Sequence, residues 1–329
     1  MKLLMDPNAR QAFIDSVNGF LPHDIRVHAV TKVTKSFNGK LSCSGRRYEY
    51  LLPTYMLQDA DAARDALEAA YQRQGPLVDV ARPGGFADAG SDRFLGPDGL
   101  AHVREQVLVP FRIDGARLAN VREALKCYEG TRMYHNFTTG KTPSDSNAKR
   151  YITSFTCSDP FVHEASQVEW VVLAVEGQSF LLNQIRKMVG LACEIASGNA
   201  ASVQVAQEAL TAVKVEIPMA PGLGLYLDQL HFAGYNNKLD LSSSRGGGGE
   251  DGVPSEKLDW KDQPALHAVT SKFKENVVWP HIMKEEQEGL HFLYYLDYLR
   301  VHPYRFVVKE FNAQQKKKPR KEEVDSSAE

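Results

Sequence analysis

The chain has 329 residues, which suggests about two domains, and its 43% hydrophobic and 24% charged residues are close to globular averages and exclude wholesale disorder. No stretch approaches about 18 consecutive apolar residues, which excludes a membrane-spanning helix. The 39 basic and 41 acidic side chains neither require nor exclude a nucleic-acid partner, because a basic surface can coexist with an acidic remainder.

The first predicted element is a helix over residues 8–18. Asp6 is a suitable N-cap, Pro7 suits the first helical position, and Asn18-Gly19 is a stop signal. Apolar residues at every fourth position predict its buried face, which consists of Ala9, Phe13 and Val17.

Strands and further helices follow in alternation. The apolar patterns predict strands over residues 25–29, 42–52, 150–157 and 168–176. Helices are predicted over 58–74, from Asp114 to a stop at Gly130, and over 180–197 with Gly198 closing the last one. The helix after Asp114 is expected to bury Leu118, Val121, Leu125 and Tyr128. Strands separated by helices favour an α+β fold.

Composition divides the chain further. Glycine and proline mark a surface insertion at about 75–100, and Ser242–Gly252 is typical of a flexible linker, placed within 235–257. The expected organisation is therefore the remainder of an N-terminal subdomain (1–40), a catalytic subdomain (41–234), the linker, a helical extension (258–311) and a disordered tail with basic and acidic residues (312–329).

The cysteines give no metal or disulfide signature. Cys43, Cys127, Cys157 and Cys193 are far apart and contain no Cys-x-x-Cys pair. This spacing argues against zinc ribbons and secreted disulfide frameworks and favours reduced thiols inside a cell.

Three blocks of sequence carry the chemistry: Tyr-Glu-Gly-Thr at 128–131, Tyr-His-Asn-Phe-Thr at 134–138, and 177–190, which includes Gln-Ile-Arg-Lys-Met-Val-Gly. Here the chain resembles the TruA family of tRNA pseudouridine synthases, above all its eukaryotic members. The likeness extends to 46–50, 224–227 and 258–260. It implies a pseudouridine synthase fold with a mixed or antiparallel sheet flanked by helices, plus a helical C-terminal extension.

The resemblance also implies a cofactor-free isomerisation. An aspartate cooperates in breaking the uridine N1–C1′ bond, the freed uracil turns, and C5 is joined to C1′. The target base has to leave its stack to reach such a site.

Two residues match catalytic positions of the family. Arg186 matches the arginine that pairs with the catalytic aspartate, and it lies on the shoulder of a predicted apolar stripe, with Lys187 pointing away from it. That stripe consists of Leu182, Ile185, Val189, Ala192 and Ala196. Tyr48 matches the tyrosine that stacks on the uracil. The alternative for Arg186 is a surface arginine whose charged end reaches solvent. The alternative for Tyr48 is a strand tyrosine packed in the core, and this core role is expected of Tyr50.

Four further residues match substrate-binding positions less specifically. Leu225 corresponds to an apolar residue that lines the pocket, and Arg150 to a basic residue that could contact phosphate, although a core leucine and a solvated arginine are alternatives. His135 and Asn136 face RNA or brace a loop. A second histidine at metal-ligand spacing is absent from the sequence around His135, so no metal site is expected.

One family feature is absent from these 329 residues. The Arg-Thr-Asp-Lys-Gly-Val-type loop, whose aspartate is catalytic, does not occur, and Asp6, Asp92 and Asp145 are not preceded by Arg-Thr. We therefore expect the fold to be N-terminally incomplete, the chain to belong to a longer protein, and the chain as given to be inactive.

The leading hypothesis is a tRNA pseudouridine synthase without its nucleophile loop, with tRNA as partner, no cofactor, no membrane association and a monomeric state. The alternative is a catalytically dead RNA-binding protein or chaperone, and a scaffold that binds no RNA is a third hypothesis. The basic run at 316–321 favours the nucleus, with the mitochondrion as alternative, or a solvated tail.

Overall fold

The computed structural model describes residues 9–73, 95–200, 202–243, 255–258 and 263–301. Its helices and strands alternate along the chain, and the strand pairings within these ranges are antiparallel. The strands are β1 (Gly45–Pro53), β2 (Gly130–Met133), β3 (Lys149–Cys157), β4 (Phe161–Val162), β5 (Glu169–Gly177) and β6 (Leu225–His231). The helices of the central region are α1 (Arg10–Phe20), α2 (Ala60–Arg73), α3 (Pro97–Val103), α4 (Gly115–Lys126), α5 (Gln184–Ala196), α6 (Gln204–Glu208) and α7 (Ala233–Ser243). Three more follow: α8 (Pro264–Phe273), α9 (Trp279–Gly289) and α10 (His291–Val301).

One antiparallel sheet organises the molecule. Its strands lie in the order β2-β3-β5-β1-β6, and β4 pairs with the start of β5. The central strand β5 is buried along most of its length, which explains its almost continuous run of apolar residues. The predicted α+β class with an antiparallel sheet and a helical C-terminal region is confirmed.

Local signals explain several elements. The Asp114 side chain accepts a hydrogen bond of 2.7 Å from the Arg117 backbone N–H, so it caps α4 as predicted. All four residues predicted on its inner face are buried, but the helix ends at Lys126, and Gly130 instead opens β2 with a φ of +86°. The strands predicted at 42–52, 150–157 and 168–176 and the helix predicted at 58–74 are each present with small shifts of their ends.

The N-terminal predictions need correction. Helix α1 runs through Phe20, past the predicted stop, and Ile14 is its buried residue, whereas Ala9 is exposed. Residues 25–29 form no strand, because the Asn18 side chain donates to the Val27 carbonyl and accepts from the Val27 N–H, both at 2.8 Å. These bonds occupy backbone groups that a neighbouring strand would otherwise pair. Asp6 and Pro7 lie outside the described residues.

The later boundaries differ too. The segment predicted as a linker, 235–257, starts inside helix α7. The backbone N–H groups of Tyr235 and Asn236 donate hydrogen bonds to the Phe232 carbonyl and so fix the first turn of this helix. Most of the predicted insertion (about 75–100) and the whole predicted tail (312–329) lie outside the described residues, as does the end of the predicted helical extension, 302–311. The domain boundaries stay a prediction.

Helix α10 of the C-terminal region is joined to α5 by a buried ion pair. Arg300 donates to the Glu194 carboxylate at 2.6 Å, and both side chains are almost completely inaccessible to solvent. Asn199 also donates to this carboxylate. Burial raises the pKa of Glu194, because desolvation disfavours its ionised form.

Another buried carboxyl group, Glu286, lies at the end of α9. Its Oε1 accepts from the Tyr55 hydroxyl at 2.7 Å and its Oε2 from the Phe292 N–H at 2.8 Å. Burial outweighs these bonds and raises the pKa of Glu286 to about 7. The folded protein therefore holds a proton that the unfolded chain releases near pH 4.5.

We expect the free energy of unfolding to fall by up to ~3 kcal/mol between about pH 4.5 and pH 7 from this group alone. The contribution is complete below the unfolded pKa and is lost as the pH rises through the folded pKa. Urea unfolding across this range measures it. Glu286→Gln is expected to remove this slope, whereas the exposed Glu288→Gln keeps it; an unchanged slope in Glu286→Gln contradicts the assignment.

Candidate active site

Tyr48 lies in the middle of β1 and is half-buried. Its cross-strand neighbours are Val175 on β5 and Leu227 on β6. Its ring contacts Phe180 in a T-shaped arrangement, with centroids 5.5 Å apart and planes 86° apart, which fixes the orientation of the ring. Tyr50, two residues on, is fully buried and donates to the Pro221 carbonyl at 2.6 Å, so its predicted structural role is confirmed.

Arg186 lies in the first turn of α5 and is half-buried. Its Nε donates to the Ala220 carbonyl at 2.7 Å, and the Ala220 N–H donates back to the Arg186 carbonyl at 3.1 Å. A Cβ added at Gly222 would lie 3.8 Å from the guanidinium carbon, so the guanidinium packs against this backbone. Arg186 forms no ion pair with any carboxylate that the structure describes.

Leu225 is the first residue of β6, and it connects the arginine to the sheet. Its N–H donates to the Gly222 carbonyl at 3.1 Å, and it pairs with Tyr50 across the strands. A Cβ at Gly224 would lie 2.4 Å from the Leu51 carbonyl oxygen, so this close approach requires glycine. The segment 220–225 thus brings Arg186 and Leu225 to the strand that carries Tyr48.

Arg150 lies apart from these three residues. It is at the start of β3, which β5 separates from β1, so about 10 Å of sheet lies between their strands. Its guanidinium donates to the carbonyls of Asn147 and Lys149, at 2.7 and 2.6 Å. Phosphate contact stays a prediction for this residue.

His135 and Asn136 brace a loop. Both are buried; the His135 Nε2 lies 3.0 Å from the Val213 carbonyl, and burial lowers the pKa of this imidazole. The Asn136 amide donates to the carbonyls of Ala209 and Val213 and accepts from the Val215 N–H. These contacts favour the loop-bracing alternative, because the loop after α6 covers both side chains. Substrate contact stays a prediction for these two residues.

Two side chains of the third block lie where the sequence pattern does not predict them. Periodicity predicts Leu182 on the buried stripe of the helix, but α5 begins only at Gln184, and Leu182 is 74% exposed. Lys187 does not point into solvent: its Nζ donates to the Asn136 carbonyl at 3.2 Å, and burial lowers its pKa. The sequence offers one signal for the later start of α5, which is the pair Asn183 and Gln184, whose side chains favour a turn.

Sequence reasoning missed a charged cluster on the opposite face of β1. Lys274, just after α8, forms ion pairs of 2.8 Å with Glu49 and 3.0 Å with Asp228, and Arg47 pairs with both carboxylates. Burial opposes ionisation of Glu49, but hydrogen bonds from Lys274 and Tyr226 outweigh it and lower its pKa. The C-terminal helices are thereby tied to the strand that carries Tyr48.

Metal chemistry has no structural support in the described part of the chain, where no three His, Cys, Asp or Glu side chains are grouped to hold an ion. The four cysteines are free thiols. No helix within the described ranges is both long and apolar enough to span a membrane.

Comparison with known proteins decides the family. Residues 124–233, which include Arg186 and Leu225, match the family model described as tRNA pseudouridine synthase. The chain belongs to this family. It is 33% identical to a human protein named pseudouridylate synthase 1 homolog over 88% of the chain and 54% of that protein. The mouse protein of the same name is 32% identical over 88% of the chain and 55% of that relative.

A fungal relative gives the same result. The protein named tRNA pseudouridine synthase 1 from Yarrowia lipolytica is 32% identical over 83% of the chain and 56% of its own length. The chain therefore spans about half the length of these relatives. The matched range includes Arg186 and Leu225, and the roles of Tyr48, Arg186 and Leu225 stay predictions.

Proposed function

We propose that this chain supplies the uridine-binding part of a tRNA pseudouridine synthase, an isomerase that converts uridine to pseudouridine in tRNA without a cofactor. The observation that carries the proposal is that the segment 220–225 joins Arg186 and Leu225 to β1, the strand that carries Tyr48. Family membership supports it. No membrane association is part of the proposal.

Each residue has a role that its position supports. Tyr48 offers one ring face for stacking on uracil and a hydroxyl for a proton, while the T-shaped contact with Phe180 orients the ring. Leu225 supplies an apolar wall. The Arg186 guanidinium, held through its Nε by the Ala220 carbonyl, keeps its remaining donors for a carboxylate.

The reaction breaks N1–C1′ and forms C5–C1′. The uracil turns in the pocket, N1 gains a proton and C5 loses one, so the atoms of uridine are conserved. An aspartate in an Arg-Thr-Asp context starts the family's reaction, and none occurs in these 329 residues. We therefore propose that the chain as given binds tRNA without turning it over.

One observation favours a second candidate, an RNA-binding protein or chaperone without catalysis. Arg186 lacks a carboxylate partner among the described residues. Mass spectrometry of the native protein distinguishes the two. A peptide upstream of Met1 with an Arg-Thr-Asp loop supports the synthase, and a native chain that starts at Met1 supports the binding protein.

Both candidate functions require the chain to bind tRNA, and a binding assay with unmodified tRNA transcripts tests this requirement. We expect binding that weakens between about 50 and 200 mM salt, because phosphate contacts dominate it, and no pseudouridine in the recovered nucleosides. Tyr48→Ala is expected to weaken binding about tenfold through lost stacking, while Tyr151→Ala, another strand tyrosine, leaves it unchanged. Absence of tRNA binding contradicts the proposed function, and pseudouridine formation contradicts the inactivity of the chain.

We further propose a monomer located in the nucleus, with the mitochondrion as alternative. Sedimentation of the chain and microscopy of the tagged native protein test these two points.

A further inference from the structure

The turn between β5 and α5, residues 178–183, presents one apolar side chain to solvent. Leu182 is 74% exposed, whereas Leu181 before it packs against the core and Ile185 after it is buried. A single exposed leucine is ordinary on a protein surface. Leu182 differs from other exposed leucines in the backbone conformation of its turn and in the residues that surround it.

The turn is held rigidly in a conformation that non-glycine residues rarely adopt. Asn183 has a φ of +62°, in the left-handed region. The Leu181 N–H donates to Gln184 Oε1 at 2.8 Å, and the Lys187 N–H donates to the Asn183 carbonyl at 3.0 Å. Backbone strain of this kind persists where the surroundings impose it. Here it delays the start of α5, so that Leu182 projects from the turn.

The turn also adjoins the candidate active site. Phe180 within it meets the Tyr48 ring edge-on, and the Arg46 guanidinium donates to the Gln178 carbonyl at 2.8 Å. Arg186 follows Leu182 by four residues, in the first turn of α5. The turn that exposes Leu182 thus also contacts the stacking tyrosine and lies between two arginines, Arg46 and Arg186. The apolar and aromatic side chains suit contact with RNA bases, and the arginines suit contact with phosphates.

We propose that Leu182 is a wedge that enters the RNA base stack beside the target uridine. The inference rests on the proposed function, because it requires an RNA whose uridine leaves the stack. Extrusion of a base leaves a gap between its neighbours, and apolar side chains that insert between bases offset part of the cost of unstacking. Leu182 fills that gap while the uracil lies against Tyr48, which makes the leucine a positioning residue.

The test compares two fluorescently labelled RNA duplexes of one sequence, with either a central uridine or an abasic ribose at that position. The abasic duplex already has the gap, so the unsubstituted protein is expected to bind the abasic duplex more tightly than the uridine duplex. Leu182→Ala is expected to weaken binding of the abasic duplex about tenfold, equivalent to ~1.4 kcal/mol. Binding of the uridine duplex is expected to stay unchanged, because the paired uridine of a regular duplex keeps the stack closed to the side chain. Leu182→Met retains the preference.

Leu241→Ala is the matched control, since Leu241 on α7 is 60% exposed; it should leave both affinities unchanged. The wedge is overturned if the intact chain binds both duplexes equally, or if Leu182→Ala keeps the preference. An equal loss on both duplexes also overturns it, because that result is general RNA contact. Failure of the intact chain to bind tRNA contradicts the proposed function instead, so the two failures are distinguishable.

Discussion

Arg186→Ala, in a form of the protein that carries an Arg-Thr-Asp loop, is expected to lower the rate of pseudouridine formation by about 10³-fold or more. The guanidinium is positioned by the Ala220 carbonyl and by its packing on Gly222. Preorganised charge at the reacting groups contributes ~10²–10³ in rate for a single donor, and an aspartate that loses its partner also loses its orientation. Arg186→Lys is expected to rescue little, because an ammonium lacks the planar fork that binds a carboxylate in two places.

Single-turnover measurement of pseudouridine formation, together with tRNA affinity, tests this prediction. The affinity of Arg186→Ala is expected to stay within a few-fold of the unchanged protein, which separates catalysis from binding. Arg112→Ala is the control, because Arg112 is exposed and donates to the carbonyls of Val109, Phe111 and Gln167. Retained turnover in Arg186→Ala would refute the catalytic assignment.

Arg300→Ala is expected to lower the free energy of unfolding by ~3–5 kcal/mol, because it leaves the Glu194 carboxylate buried without its cation. Urea unfolding of the chain measures this loss. Arg64→Ala breaks an exposed ion pair with Asp61 and is expected to cost under about 1 kcal/mol.

A double substitution separates the contribution of the ion pair to stability from the contribution of burying side chains at these two positions. Glu194→Met with Arg300→Met is expected to recover most of the lost stability, since apolar residues of similar volume often replace a buried ion pair without loss. If Arg300→Ala is as stable as Arg64→Ala, the ion pair does not hold α10 to α5.

The elements that sequence predicts well are those with local signals. The Asp114 cap and the apolar residues Leu118, Val121 and Leu125 define α4, because capping and helical periodicity involve residues within a few positions of one another. The strand at 42–52 also follows from the sequence, whereas the role of Arg186 rests on family resemblance and stays a prediction.

The predictions that fail depend on partners distant in sequence. Residues 25–29 alternate like a strand, but the Asn18 side chain binds their backbone instead. The motif around His135 and Asn136 suits RNA contact and loop bracing equally well, and only the structure shows that the loop near Val213 packs on both side chains. Nothing in the periodicity of α5 reveals that Asn183 adopts a left-handed conformation and turns Leu182 outward.

Sequence patterns and family resemblance predicted the α+β class, the helices α1, α2, α4 and α5, the strands β1, β3 and β5, the family and the three residues expected to hold uridine. Only the tertiary structure decided that the segment 220–225 brings Arg186 and Leu225 to the strand of Tyr48, and that Lys274 and Arg300 tie the C-terminal helices to the rest of the fold. Caps and periodicity are properties of neighbouring residues, whereas contacts such as Arg300 with Glu194 join positions 106 residues apart. Such contacts depend on how the whole chain packs, and no local pattern encodes them.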